Sequence, residues 1–370
     1  MSKLRVGIIG SGRGWLNARM IMARGDGEVV AMSSLDEPTL RRLASERGFR
    51  AVTEWEELVA ADDIDCVFVS VPNYLHERMA VRALEEGKHV YVDYPMTTSA
   101  ASADRMIEAA RNAGKVLAPG LTNRWEPGDI VMKEKLPLIG APVMASFIGH
   151  LGSAGWSHVE GGEWFSDPSK SGGAFRALSI HFVDSMRNLF GEVRWVDATD
   201  DSPRYSEKRK SHFAGGTLLL EFENEASAIV QETYGFAYET GGCRFQIVGM
   251  EGLLEYSLWG WEFEHRYADH GGEDELFDSS LQLITREGPE ELGLSVLSDE
   301  DRDRFKSHRL PYTREYVQAY LDAKDFIRAI IEGRPLTNTA QDARGSIVVI
   351  DAAYLSVKEG RRVYLEELGR

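Results

Sequence analysis

The clearest chemistry in the residue types and their spacing is anion binding by main-chain groups. Gly7-Ile8-Ile9-Gly10-Ser11-Gly12-Arg13-Gly14-Trp15 stands between a short apolar run, Arg5–Ile9, and a stretch with helical periodicity. Gly10 suits a tight turn and Gly12 lets backbone approach a pyrophosphate. A helix starting here presents unpaired N–H groups and a partial positive charge to that anion. The usual spacing puts a third glycine where Trp15 stands. Gly14 comes one residue early, which predicts an altered helix–strand contact. At the end of the next β-rich run, Met32-Ser33-Ser34-Leu35-Asp36, a carboxylate would hold the ribose 2′-hydroxyl of NAD and repel the 2′-phosphate of NADP. Ser34 takes that place. Arg41 or Arg42 could serve a phosphate and Asp36 a hydroxyl, so both cofactors stand.

Other residue types offer recognition. Trp156, Trp164, Trp259 and Trp261 can stack on a sugar ring or anchor a core. Arg124 and Arg176 can hold a carboxylate or phosphate bidentately, or lie on the surface. His150 and His158 flank a glycine-rich loop, Gly149–Gly162, that could close over a ligand. His265, His270, Glu273 and Asp274 have a metal-like composition without a metal-binding spacing, and no metal is expected.

These groups need elements to position them. Up to about residue 123 the pattern alternates strands and helices: Arg5–Ile9, Gly14–Arg24, Glu28–Ser33, Thr39–Arg47, Cys66–Val71, Tyr74–Glu86, Val90–Val92, Ser102–Asn112 and Val116–Ala118. Thr53 and Glu56 are spaced as a capping box for a short helix. Such alternation predicts an α/β, doubly wound parallel sheet with ligands at the carboxyl ends of its strands. Beyond residue 123, alternating runs at Val143–Ile148, Thr217–Glu223, Ala226–Thr233, Phe245–Val248 and Gly252–Ser257 predict a one-sided antiparallel sheet. Helices are expected over Ala177–Phe190, Glu315–Glu332 and Asp342–Glu359. Asp200–Ser211 and Tyr267–Asp278 read as polar surface loops.

Composition narrows the partners. A chain of 370 residues exceeds what one core supports, so two domains are expected. With 59 acidic against 42 basic residues and a net charge of −17, the surface repels phosphate backbones and anionic lipid, which argues against nucleic acid and membrane as partners. Cys66 and Cys243 cannot build a disulfide framework, and no signal peptide or spanning segment is read, so a cytoplasmic location is expected.

Further motifs follow in order. They are Pro72-Asn73-x-x-His76, Asp93-Tyr94-Pro95, Arg124-Trp125-x-Pro127, Gly140-Ala141-Pro142, Trp164-Phe165-Ser166-Asp167-Pro168, Ser171-Gly172-Gly173-Ala174, His181-x-x-Asp184, Glu332-Gly333-Arg334-Pro335 and Asp342-Ala343-Arg344. In these motifs, and over nearly its whole length, the chain resembles the Gfo/Idh/MocA oxidoreductases. The resemblance implies a Rossmann domain over residues 1–123. It also implies an α+β domain with an open, mostly antiparallel sheet over 124–370, whose C-terminal helix packs back on the first. It implies NAD or NADP as cofactor, a carbohydrate-like substrate, and a homodimer or homotetramer formed through the open sheet. Gly10, Gly12, Arg13, Gly14, Trp15, Ser34, Pro72, Asn73, His76, Asp93, Pro95 and Arg124 would lie on the cofactor side, and Trp164, Arg176 and Asp184 on the substrate side.

The departures bear on catalysis. The family usually has Glu-Lys-Pro where this chain has Asp93-Tyr94-Pro95, and a carboxylate where this chain has Ala177. His181 remains as a base able to take a proton near pH ~6.5. Tyr94 could be its acid/base partner if a nearby cation lowers the phenol from about 10, or it could only hydrogen-bond substrate or pack. Arg176, next to the missing carboxylate, would favour an anionic sugar acid if it faced the pocket. The expected activity is hydride transfer to or from a sugar, sugar acid or cyclitol. Two alternatives share the fold: transient oxidation on tightly held NAD during glycoside elimination or hydrolysis, and a catalytically inactive nucleotide-binding protein.

Overall fold

The structure, a computed structural model, describes residues 3–150, 163–201, 215–233, 242–259 and 278–369. Trp156, His158, Trp261, His265, His270, Glu273, Asp274, the side chain of Trp259, and most of the two polar stretches lie outside the described residues. Internal contacts divide the chain into two units. The first is Met1–Trp125 with Leu297–Leu310 and Glu315–Arg344; the second is Glu126–Val296 with Pro311–Arg314 and Gly345–Arg370.

The first unit is built on a six-stranded parallel sheet, β1 (Leu4–Ile9), β2 (Gly27–Ser33), β3 (Arg50–Val52), β4 (Cys66–Val69), β5 (His89–Asp93) and β6 (Leu117–Gly120), in the order β3-β2-β1-β4-β5-β6. This order reverses direction between β1 and β4, where a doubly wound sheet opens a crevice for ligand. All four β4 residues are buried, as an uninterrupted apolar run requires when helices cover both faces. Helices α1 (Arg13–Arg24), α2 (Glu37–Arg47), α3 (Trp55–Ala60), α4 (His76–Glu85) and α5 (Ala100–Ala113) connect the strands. The expected capping box at Thr53 does not form. Glu54 is the N-cap of α3 and makes no side-chain cap, because the helix begins at Trp55. The long helix Arg314–Glu332 adds Phe326 to the core, edge-on to Phe68 at 5.3 Å, while Phe68 stacks on Tyr91 at 4.6 Å.

The second unit carries a nine-stranded sheet, continuing the numbering: β7 (Pro142–His150), β8 (Val193–Asp200), β9 (Gly215–Phe222), β10 (Ser227–Thr233), β11 (Gly242–Gly249), β12 (Leu253–Trp259), β13 (Asp278–Thr285), β14 (Gly288–Glu291) and β15 (Val363–Tyr364). All neighbours pair antiparallel except β7 and β10, which run parallel at its centre. Alternate residues Leu218, Leu220 and Phe222 are buried while Leu219 is exposed, so one face of β9 is covered. Helices α6 (Pro127–Lys135), α7 (Pro168–Ser171) and α8 (Ile180–Phe190) belong to this unit, with Phe182 of α8 stacked on Phe147 of β7. The stretch expected as one helix from Ala177 begins instead with a π turn, Phe175–Ser179. Among the described residues no helix is long and apolar enough to cross a membrane.

Candidate active site

The glycine-rich turn sits at the reversal point of the first sheet. Gly10 donates its N–H to Ser33 O at 2.8 Å, and Ser70, just past β4, donates to Ile9 O at 2.8 Å. Gly10 has φ +103°, and a Cβ there would collide with the Ser70 carbonyl oxygen, so only glycine fits this turn. A Cβ on Gly12 would meet nothing within 4 Å among the described residues. Gly12 is also the N-cap of α1, and no side chain caps that helix end. Open space above Gly12 and an uncapped helix start together fit a pyrophosphate. The altered helix–strand contact expected from the early third glycine is not found. Gly14 is buried, and a Cβ on it would stand 2.9 Å from Ile8 Cγ2, so Gly14 itself permits the close approach. Trp15 lies half-buried beneath the Arg47 guanidinium, 5.5 Å away.

At the end of β2, Ser34 shares a 2.7 Å hydrogen bond with Ser11, which ties this position to the glycine turn. Asp36 caps α2, accepting from Thr39 N at 3.1 Å, and the Thr39 side chain and N–H hold its carboxyl below its ordinary range. Arg41 and Arg42 pair with Glu37 at 2.7 Å and Glu46 at 3.1 Å on their own helix. Leu35 is fully exposed.

The loops after β4 and β5 are clamped together by His76. Its Nδ1 lies 2.9 Å from Pro95 O and its Nε2 2.7 Å from Val71 O, and burial lowers its pKa. The ring joins the Pro72–Asn73 loop to the Tyr94–Pro95 loop, which gives His76 a holding role. Asn73 and Pro95 are buried, and Pro72 and Tyr94 are partly exposed. Tyr94 and Pro95 are joined by a cis peptide. Asp93, 5% exposed, accepts from Asn17 Nδ2 at 3.3 Å and faces Arg13 Nε at 3.6 Å. Arg13 also donates to Glu315 at 2.8 Å and stacks over the Tyr94 ring, 5.1 Å from its centroid. Sequence reasoning missed Asn17 and Glu315. An asparagine one turn into a helix carries no motif, and Glu315 lies 302 residues from Arg13.

Arg124 is partnered within its own unit. Arg124 lies 3.5 Å from Asp342, so two of the sequence motifs meet. Its neighbour Trp125 donates Nε1 to Asp322 at 3.0 Å, and Tyr91 donates its hydroxyl to the other oxygen of that carboxylate at 2.7 Å. Burial pushes the Asp322 carboxyl up to about 7 in spite of those two donors. Arg334 of the C-terminal motif binds Asp325 at 2.9 Å, a contact that fixes the turn after the long helix.

In the second unit, the segment around His181 is arranged by glycines and a tyrosine. Asp167 caps α7, accepting from Ser169 N at 2.9 Å. Gly172 and Gly173 have φ of +88° and +84°, and a Cβ on Gly173 would overlap the Tyr354 hydroxyl, which accepts from Phe175 N at 3.1 Å. The π turn that follows carries Arg176 and Ala177. Such turns recur at functional sites because they re-aim side chains. Arg176 is not exposed on a helix shoulder. It is 8% exposed, bonds Asp351, donates to Gly172 O at 3.2 Å and stacks over Tyr354. Ala177 is fully buried among Ala174, Phe165 and Leu178, an apolar setting in place of a carboxylate. Ser179 donates to Glu232 at 3.0 Å, and this buried β10 carboxylate, 53 residues away, was missed because no local pattern marks it. His181 is 8% exposed on α8. Asp184 has no exposed side-chain surface and accepts from Ser346 at 2.9 Å, so it braces the helix. Trp164 is partly exposed and stands edge-on to Phe165 at 5.5 Å. Among the described residues, no group of three or more His, Cys, Asp or Glu side chains is placed to hold a metal.

Comparison with known proteins agrees with this construction. Residues 4–121 match the model of an oxidoreductase family with an NAD-binding Rossmann fold, and residues 145–365 match that family's C-terminal α/β domain. The chain is 24% identical to myo-inositol 2-dehydrogenase of Thermotoga maritima over 379 aligned positions, covering 99% of both. It is 32% identical to 1,5-anhydro-D-fructose reductase of Ensifer adhaerens over 260 positions, covering 68% of this chain and 74% of that enzyme. Among solved structures, GenD2 from gentamicin A biosynthesis in complex with NAD superposes with a TM-score of 0.77 at 22% identity, covering 98% of this chain and 97% of that one. Levoglucosan dehydrogenase with NADH and levoglucosan also superposes with a TM-score of 0.77, at 19% identity, covering 98% of this chain and 100% of that one; these likenesses show the fold. By both domain matches, the chain belongs to the Gfo/Idh/MocA family of oxidoreductases.

Proposed function

We propose that the protein transfers a hydride between NAD or NADP and a carbon bearing a hydroxyl or carbonyl in a sugar or cyclitol. The observation that carries this reading is the pairing, within one unit, of an uncapped glycine turn with Tyr94 at the end of β5, linked through Arg13. Bound NAD or NADP supplies the hydride acceptor or donor. The chain's own residues hold the cofactor through Gly10, Gly12 and the start of α1, and shape its surroundings through the loops that His76 clamps. Tyr94 and His181 handle the proton of the reacting hydroxyl. Both side chains are of types that act as general acid or base. Engagement of Arg176 by Asp351 removes the argument for an anionic sugar acid.

Purified protein with NAD or NADP and myo-inositol, scyllo-inositol or levoglucosan, or with NADH or NADPH and 1,5-anhydro-D-fructose, should change nicotinamide absorbance for at least one pair. Cofactor binding without turnover on every pair overturns the reading. In the productive pair, Tyr94→Phe should lower kcat by about 100-fold while KM moves by no more than about threefold. An unchanged kcat removes Tyr94 from the chemistry.

The second sheet leaves Met144, Ile148 and Leu219 between 38% and 46% exposed on its open face, where Leu219 pairs with Ile229 and Ile229 with Ser146. Apolar surface of this kind supports assembly as a homodimer or homotetramer through that face. Light scattering at micromolar concentration should give a multiple of 41.3 kDa, and a monomer mass contradicts the assembly.

A further inference from the structure

Arg13 opens α1 directly after Gly12, where an arginine would be expected to reach toward an anion at the turn. Its side chain goes elsewhere. The guanidinium lies over the face of Tyr94, 5.1 Å from the ring centroid. Nη1 binds Glu315 at 2.8 Å, and Nε faces Asp93 at 3.6 Å. Asp93 is held in turn by Asn17, whose amide also donates to Ser70 at 3.1 Å. The Arg13 side chain is 19% exposed and that of Asp93 7%, so neither swings in open solvent. Burial opposes the charge on Arg13, but Tyr94, Glu315, Asp93 and Tyr91 outweigh it, and the group stays cationic. A planar cation anchored at two points and laid on an aromatic face fixes the plane of that ring.

We infer that Arg13, anchored by Glu315 and Asp93, is a positioning residue that sets the orientation of the Tyr94 ring and ties it to the cofactor-binding turn. The inference rests on Tyr94 taking part in proton transfer. Arg13 acts through the tyrosine and touches no reacting atom. Its role is distinct from phosphate binding, because its donors are directed to carboxylates on β5 and on the long helix.

Three variants separate these roles: Arg13→Met, Glu315→Gln and Tyr94→Phe, alone and combined. Tyr94→Phe keeps a ring beneath the cation and removes only the hydroxyl. With the productive substrate pair, Arg13→Met should lower kcat by about tenfold and leave the dissociation constant of NADH within about threefold. Glu315→Gln should act in the same direction, more weakly. In the Tyr94→Phe background, Arg13→Met should change kcat by less than about twofold, since coupled residues are not additive. A second readout needs no turnover. In protein isotope-labelled at tyrosine Cζ, the resonance that Tyr94→Phe deletes should move in Arg13→Met and Glu315→Gln. Additive losses in the double variant, an unmoved resonance, or a loss confined to NADH binding each overturn the inference while leaving the functional reading intact. Full kcat in Tyr94→Phe alone brings down the role of Tyr94 and the inference with it.

Discussion

The glycine turn Gly10–Trp15 is shaped by main-chain geometry, whereas the segment Phe175–Asp184 is shaped by buried side chains. That difference governs how each region behaves. In the turn, Gly10, Gly12 and Gly14 each act through the absence of a Cβ: one makes the bend, one leaves open space, one lets α1 lie against Ile8. In the second segment, Arg176 and Asp184 are buried with partners of their own, Asp351 and Ser346. A position whose work is steric is set by local backbone. A charged side chain takes whichever opposite charge the fold brings nearest, and burial makes that pairing costly to leave.

The comparison is broken most directly at Gly10. Gly10→Ala puts a Cβ against the Ser70 carbonyl at φ +103° and should cost about 3 kcal/mol of stability with loss of NADH binding. Thermal unfolding and a fluorescence titration measure both, and a variant that binds as wild type removes the steric reading of the turn. Next in size is Ala177→Asp. Restoring a carboxylate there buries it among Ala174, Phe165 and Leu178, so destabilisation by about 2–3 kcal/mol is expected, without gain in kcat. Higher activity in this variant would show that the apolar setting is no barrier to an ion.

Asp129 tests the same physics in the opposite direction. It is 5% exposed, and burial pushes its carboxyl from 3.8 up to about 8. Its Oδ2 finds no hydrogen-bond partner among the described residues. The folded pKa is raised, so the stability it confers is present below about 3.8 and is lost as pH rises through about 8. Asp129→Asn keeps the shape of the protonated acid. Its advantage should grow from pH 4 to pH 8 and reach about 1–3 kcal/mol, read as the difference in Tm across that range. A constant difference would mean that Asp129 does not titrate there. The smallest effect is expected at Ser34. Asp36 is occupied in capping α2 and Ser34 stands at the end of β2, so Ser34→Asp should shift the ratio of NADP to NAD affinity by about tenfold toward NAD. An unchanged ratio would place the 2′-group elsewhere.

Legibility followed range. The strands β1, β2, β4 and β5 were readable from their apolar runs, and the α8 region from its periodicity. β8 and the helix Asp299–Ser307 were not anticipated: Val193–Asp200 interrupts its apolar residues with Arg194, Asp197 and Asp200, and the helix is almost wholly polar. The π turn was read as ordinary helix, because the two share the same apolar face over a few residues. The grouping of Glu315–Arg344 with the first unit depends on Phe326 and Asp322 meeting Phe68 and Tyr91, more than 200 residues away, which no window of sequence can hold.

The sequence by itself determined that a nucleotide turn exists, which glycines make it, and that two of the family's usual catalytic groups are replaced by Tyr94 and Ala177. Glycine and proline act on their own backbone, and a missing functional group is missing in any fold. Only the tertiary structure decided where Arg13, Arg124 and Arg176 direct their charge, that Asp36 serves a helix end, and that Glu232 lies beside Ser179. Long side chains choose among partners supplied by distant segments, and burial selects the pairing that leaves the fewest charges alone.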